Sequence, residues 1–230
     1  TSVVDGGSRV VIWGSSVTAA TADGSREAWI ACVHTSSAVS NASSVVVVHS
    51  HLNATASSHS QYALIAYLFR AVVDGNSSIV LHGSHAFVAT SDDSLNAAIL
   101  SLALTRVSRS SSLAASNCSL HASSRTRSGE AAVAVLSYTN TFHSQALLMI
   151  VNSTVAATAS SVSNNALIAV VTASRFSNDS HLVVDSSSLS AAVSHGSGAA
   201  WIGAFQTNSI IANGSSLLMI DSIMTATATH

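Results

Sequence analysis

The stretch Val45–His49, with the sequence VVVVH, contains the clearest β-strand in the chain. Four β-branched residues stand in a row, and β-branched side chains favour strands. A strand with one face in water alternates apolar and polar residues, whereas an unbroken apolar run is typical of a strand buried on both faces. Val45–His49 therefore predicts a parallel sheet that is covered on both sides.

The segment after this strand has the apolar spacing of an amphipathic helix. Ser60–Val73 reads SQYALIAYLFRAVV, and its apolar residues recur at the i, i+3, i+4 and i+7 positions of a helical face. Asp74-Gly75 follows, and glycine commonly ends a helix. The spacing predicts a helix over 60–73.

A second helix is predicted for Leu95–Val107, LNAAILSLALTRV. Ser91-Asp92-Asp93-Ser94 precedes it, and Ser and Asp side chains accept hydrogen bonds from the first N–H groups of a helix. Helices are also predicted for Ala199–Phe205 and Ser216–Met224. Glu130–Tyr138 and Gln145–Ala159 fit a helix or a strand equally well.

Short apolar runs predict further strands, at Val10–Trp13, Ala28–His34, Ser78–Leu81, Ala166–Val171 and His181–Asp185. Strands that alternate with helices are typical of a mostly parallel sheet. We therefore expect an α/β fold with helices on both faces of the sheet, and a closed βα barrel as the alternative. No internal repeat is apparent, so one domain over residues 1–230 is the simplest organisation.

Composition restricts the function. The chain has 230 residues, of which 48% are hydrophobic and 8% charged, and a formal charge of −2. This balance excludes a disordered chain and argues against a basic nucleic-acid surface. No apolar run reaches about 18 residues, so we expect no membrane span. Seven Asn-x-Ser/Thr sequences favour a secreted glycoprotein; they begin at Asn41, Asn53, Asn76, Asn117, Asn152, Asn178 and Asn213.

The order of the predicted elements resembles that of the α/β-hydrolase superfamily. VVVVHSHLNA is similar to the family's strand that ends in His-Gly and shapes an oxyanion loop, although Ser50 stands in place of the glycine. The helix, strand and helix predicted next follow in the family's order. The resemblance implies a serine-type esterase or lipase-like hydrolase that acts on a small-molecule ester or acyl substrate without a cofactor.

The same resemblance implies a catalytic set, because the family orders its triad Ser, Asp, His along the chain. Ser124 would be the nucleophile, Asp179 the acid and His195 the base, with His49 and Ser50 in the oxyanion loop. The sequence around Ser124, ASSRT, lacks the glycines that flank the family's nucleophile. Cys118 is the alternative nucleophile.

Two other functions stay open. His49-Ser50-His51 resembles the His-x-His of barrel amidohydrolases, and with His82 and His121 it predicts a Zn²⁺ site for metal-dependent hydrolysis. The third hypothesis is a non-enzymatic, secreted binding glycoprotein.

Overall fold

Short parallel strands make up almost all of the regular structure. The computed structural model describes residues 3–22, 24, 27–34, 37–137, 139–206 and 208–229, and within these ranges it contains strands and no helix. Successive turns of the chain stack on one another as a parallel β-solenoid. Each complete turn, called a coil below, contributes one strand to each of four sheets, A to D.

The strands follow one another in chain order. Coils 1 and 2 contain β1 (Val3–Val4), β2 (Arg9–Trp13), β3 (Ser16–Thr21), β4 (Glu27–His34), β5 (Ala38–Val39), β6 (Ser44–Val48), β7 (His51–Ala56) and β8 (Tyr62–Phe69). Coils 3 and 4 contain β9 (Val72–Val73), β10 (Ser78–His82), β11 (His85–Thr90), β12 (Ala97–Ala103), β13 (Arg106–Ser108), β14 (Ser112–Ser116), β15 (Ser119–Ser124) and β16 (Ala131–Ser137). Coils 5 to 7 contain β17 (Thr141–His143), β18 (Leu147–Val151), β19 (Thr154–Ala159), β20 (Ala166–Thr172), β21 (Arg175–Ser177), β22 (His181–Asp185), β23 (Ser188–Val193), β24 (Ala200–Gln206), β25 (Ile210–Ile211), β26 (Ser216–Ile220) and β27 (Ile223–Ala228).

The register repeats every 34 or 35 residues. In sheet C, His51 of β7 pairs with His85 of β11, whereas Ser119 of β15 pairs with Thr154 of β19. The extra residue of the longer coils lies where sheet D turns into sheet A: two residues connect β8 to β9, and three connect β16 to β17. The expectation of no internal repeat is therefore wrong. The repeat preserves the residue type in some columns and only the apolar or polar character in others, and its length varies by one residue.

Apolar side chains that point inward form columns along the solenoid axis, one residue per coil. Leu113, Leu148 and Leu182 occupy one such column of sheet B and are nearly inaccessible to solvent. In sheet A, the rings of Phe142 and Phe176 stack with their centroids 4.5 Å apart. Because each inward residue packs on its equivalents above and below, the columns join into one continuous core.

A column of serine hydroxyls with one cysteine thiol fills the corner between sheets B and C, and we call it the B–C serine ladder. It consists of Ser15, Ser50, Ser84, Cys118, Ser153, Ser187 and Ser222. The backbone N–H of Ser50 donates to Ser84 Oγ at 3.1 Å, and the N–H of Ser153 donates to Ser187 Oγ at the same distance. The ladder thus satisfies buried backbone donors at a corner where the sheets themselves cannot.

An equivalent A–B serine ladder lies between sheets A and B. It consists of Ser8, Ser43, Ser77, Ser111, Ala146, Ser180 and Ser215. Each turn before it holds two residues with positive φ, such as Gly75 and Asn76. Asparagine tolerates this backbone region, and glycine enters it without steric cost.

These corners explain most of the Asn-x-Ser/Thr sequences. Asn41, Asn117 and Asn152, like three more of the seven, have positive φ at a turn. A ladder residue follows each of them by one or two positions. The Asn adopts the positive φ of the turn, and the hydroxyl belongs to the ladder or to the first position of the next strand, so the fold accounts for the pattern.

The predicted α/β fold is wrong in both of its forms. A parallel sheet between helices and a closed βα barrel both need helices, and the described residues contain none. The α/β-hydrolase resemblance fails for the same reason, because it depended on that order of helices and strands. The described residues also contain no helix that could cross a bilayer.

The two longest predicted helices failed because their segments lie mainly in sheet D, whose strands are apolar on both faces, whereas Ser216–Met224 contains β26 of sheet B and the start of β27. Ser60–Val73 contains β8, and Leu95–Val107 contains β12. The residues interpreted as an N-cap before the second helix form a turn, in which Asp92 and Asp93 have positive φ. Strand predictions fared better: Val45–Val48 lies in β6 and pairs in parallel with β2 and β10, although no helix covers it.

Candidate functional site

Sheet D bends along a line that runs parallel to the solenoid axis. In every pair of neighbouring strands, one residue of each strand is left out of the pairing, and we call it the bend residue. In β8 the bend residue is Ile65, and in β12 it is Ile99. Ile99 and the residue after it, Leu100, both pack against the main core. Two successive inward side chains break the alternation of a flat strand.

The bend brings outward-pointing apolar side chains of sheet D together. Leu64, Ala98, Ala132 and Leu167 form an apolar cluster that is separate from the main core, with Tyr62, Tyr67 and Val135 packed against it. The four cluster residues occupy one column of neighbouring strands. Each is at most 5% exposed, although it points away from the core. A flat sheet would leave such a column in solvent, so the face is concave.

Two tryptophans mark the ends of this column. Trp29 pairs with Leu64, and Trp201 pairs with Leu167. They are 37% and 38% exposed, so each indole presents a surface to solvent. Five coil spacings separate them, which corresponds to about 24 Å. We call this surface the outer groove; it consists of Trp29, Leu64, Ala98, Ala132, Leu167 and Trp201 with Tyr62, Tyr67 and Val135.

Aromatic rings continue along one end of the outer groove. The rings of Trp29 and Tyr67 lie 5.9 Å apart, and those of Tyr67 and Phe69 lie 6.0 Å apart. The Arg70 guanidinium lies 5.3 Å from the centroid of Phe69. The first two coils therefore offer a connected aromatic surface.

Amide and carboxyl groups line the other rim. The Asn96 side chain accepts a hydrogen bond from the N–H of Glu130, and the Asn165 amide donates to the Glu130 carboxylate at 3.1 Å. Asn165 in turn accepts from the N–H of Ala199. A Cβ atom on Gly129 would overlap the Asn96 oxygen, so glycine permits the close approach. The rim is thus a fixed row of polar groups beside an apolar floor.

The structure does not bring the predicted catalytic triad together. Ser124 ends β15 in coil 4, and its buried hydroxyl donates to Gly129 O at 2.6 Å. His195 lies two coils away, in the exposed turn between β23 and β24, with Ser194 Oγ 3.0 Å from its Nδ1. Asp179 lies in the turn between β21 and β22, so the whole of sheets B and C separates it from His195.

The groups predicted for the oxyanion loop already have partners. His49 has positive φ and forms the turn between β6 and β7. The N–H of Ser50 donates to Ser84 Oγ, and its hydroxyl donates to Val48 O at 2.9 Å. Cys118, the alternative nucleophile, is a free thiol in the B–C serine ladder. Burial is the main cause that raises its pKa, against smaller opposing effects of backbone N–H groups nearby.

The histidines predicted to bind Zn²⁺ form pairs, not a cluster. The rings of His49 and His82 lie 5.8 Å apart, edge to face, whereas His51 stacks on His85 at 4.9 Å. His121 stacks on Phe87, and burial, with a smaller effect of Arg125, lowers its pKa. Among the described residues, no three metal-ligating side chains converge.

The outer groove was missed in the sequence, although a signal for it exists. Each strand of sheet D begins with or contains Ala-x-Ile or Ala-x-Val, with x lining the groove, starting at Ala28, Ala63, Ala97, Ala131, Ala166 and Ala200. The two tryptophans stand in identical Ala-Trp-Ile tripeptides near opposite ends of the chain. This recurrence at 34 or 35 residues identifies both the coil and the groove.

Comparisons with known protein families, with curated proteins and with solved structures find no match for this chain.

Proposed function

We propose that the chain is a binding protein whose outer groove holds an extended, neutral glycan. The observation that carries this proposal is the apolar column on the outer face of sheet D, bounded by two partly exposed tryptophans. Its straight course along the axis suits a linear polymer better than a compact ligand.

The mixed chemistry of the groove favours a sugar chain. Sugar rings have apolar C–H faces and a periphery of hydroxyl groups. Indole and phenol rings provide flat apolar surfaces with a polar edge, as Trp29, Tyr67 and Trp201 do. The Glu130 carboxylate and the neighbouring amides of the rim supply hydrogen-bonding groups at a fixed distance from that surface.

The charge balance favours a neutral ligand. The apolar floor and aromatic residues of the outer groove carry no charge, and Glu130 adds a carboxylate at its rim. The chain as a whole has a formal charge of −2. An acidic polysaccharide or a nucleic acid would meet a single cation, Arg70 at the aromatic end, and would be repelled by the Glu130 carboxylate.

Calorimetric titration with a panel of neutral and acidic oligosaccharides tests the proposal. We expect a neutral oligosaccharide to bind, and Trp29→Ala and Trp201→Ala each to weaken binding about tenfold, as loss of an aromatic anchor does. Trp13→Ala is the matched control, because Trp13 is 68% exposed but lies outside the groove. Absence of binding to every neutral sugar, or an equal loss in Trp13→Ala, would overturn the proposal.

Acyl hydrolysis and the alternative metal-dependent hydrolysis stay predictions that no observation tests. Labelling by a fluorophosphonate, compared between the wild type and Ser124→Ala, tests the first. Loss of hydrolysis in a chelator tests the second.

A further inference from the structure

The solenoid is hollow along its axis. A cavity of about 130 Å³ lies between the sheets, and residues of the first and the last coil line it, such as Ile12 and Met219. The intervening coils contribute inward residues including Leu81, Ala115 and Ile150. Several of these side chains, among them Leu81 and Ala115, are only half-buried although they belong to inward columns. Their exposed surface faces the cavity.

The wall of the cavity is apolar throughout. Its lining residues are aliphatic residues, methionine and glycine, and the ladder hydroxyls lie at the corners with partners of their own. A water molecule needs two or more polar partners to occupy a cavity, and apolar cavities of similar volume stay dry and take up small hydrocarbons. Burying hydrocarbon surface here is favourable, because the lining groups lose no hydrogen bond.

The shape of the cavity restricts the ligand further. It extends over six coil spacings, which corresponds to about 29 Å, so its volume is spread over a long and narrow space. We infer that the interior of the solenoid binds a linear aliphatic hydrocarbon chain, independently of the outer groove. Because the space is narrow, we expect a ring or a branched hydrocarbon of equal carbon number to bind more weakly.

Methyl NMR on the intact chain tests this inference. n-Hexane and cyclohexane, which have the same number of carbons, are titrated into protein labelled at Ile, Leu and Val methyl groups. We expect n-hexane to shift the resonances of Leu81 and Ile150 in a saturable manner, and cyclohexane to shift them at least tenfold less at the same concentration. No shift with n-hexane, or equal shifts with both, would overturn the inference.

A cavity-filling variant provides an independent readout. Ala115 pairs with Leu81 and Ile150 in its column, so Ala115→Leu places a larger side chain in the cavity. We expect n-hexane affinity to fall at least tenfold in Ala115→Leu and to stay unchanged in Ala89→Leu, which enlarges a side chain on the outer face of sheet C. Unchanged affinity in a folded Ala115→Leu variant would contradict the inference; if that variant does not fold, Ala115→Val gives the same comparison.

Discussion

At the scale of single residues, hydrogen bonds between equivalent positions hold successive coils in register. The A–B serine ladder has one break, at Ala146, which is fully buried. The N–H of Ala146 still donates to Ser180 Oγ. The N–H of Ser111, however, finds no ladder hydroxyl in the next coil, because Ala146 occupies that position. The break identifies a site where a single oxygen atom is missing.

We expect Ala146→Ser to stabilise the protein by about 1 kcal/mol, the usual net contribution of one hydrogen bond. The new hydroxyl can accept from Ser111 and donate to the His143 carbonyl, as Ser180 donates to Ser177 O. Urea unfolding gives the difference in free energy. Ala157→Ser is the control, since it adds a hydroxyl to an equally buried apolar column. Stabilisation by both substitutions, or by neither, would contradict the ladder account.

Cys118 makes stability depend on pH. Its pKa in the folded protein is raised above the ordinary 9.0 by burial, so the unfolded chain releases the thiol proton first as the pH rises. The stability contribution of the neutral thiol is therefore complete below pH 9 and is lost above it. Cys118→Ser restores a serine to the ladder and removes this titration. We expect wild type and variant to differ little in unfolding free energy at pH 7, and the variant to be the more stable at pH 10. An unchanged difference between the two pH values would show that the thiol is not buried when folded.

At the scale of elements, turns with positive φ decide where each strand ends. The turns between sheets C and D contain two successive residues of this kind, such as Asp92 with Asp93 and Ser161 with Val162. Val162 is unusual, because a β-branched residue is strained in this backbone region. It is 64% exposed, so no packing compensates for the strain.

Val162→Gly relieves this strain but also raises the conformational entropy of the unfolded chain, which opposes the gain. We therefore expect a net stabilisation of about 1 kcal/mol. Gly196, one coil further on, has a φ of 71°, and no atom lies within 4 Å of the position that a Cβ atom would take there. The reverse change Gly196→Val introduces only backbone strain there and should destabilise by about 1–2 kcal/mol. Thermal unfolding of both variants measures the pair; shifts of the same sign would refute the strain argument.

The apolar pattern predicted an element correctly only where it was typical of that element alone. Val45–Val48 was predicted as part of a parallel sheet, and β6 is one. In Ser60–Val73, the bend at Ile65 and the outer groove made both faces apolar, so a strand carried the spacing of a helix. The sequence could not locate a catalytic triad, because Ser124, Asp179 and His195 were chosen from the order of the predicted helices and strands. Those helices do not form. Trp29 and Trp201 could have been grouped by their shared Ala-Trp-Ile, but only once the coil length was known.

At the scale of the whole molecule, parallel stacking of coils positions every feature described above. Residues separated by 34 or 35 positions in the sequence lie about 4.8 Å from each other in neighbouring coils. Equivalent residues of successive coils therefore form the serine ladders, the core columns and the outer groove. The outer groove and the interior cavity both run along the axis because every coil contributes to them in the same way. Both proposals therefore depend on the stacking.

Distances between spin labels in one column test the stacking most directly. In a background without cysteine, labels at Ser58 and at Thr126, Ser161 or His195 lie two, three and four coils apart in the turns between sheets C and D. The account predicts that the mean distance measured by electron paramagnetic resonance increases by about 4.8 Å with each added coil. Distances that do not increase in this order, or that increase by unequal steps much larger than one strand spacing, would contradict the parallel β-solenoid.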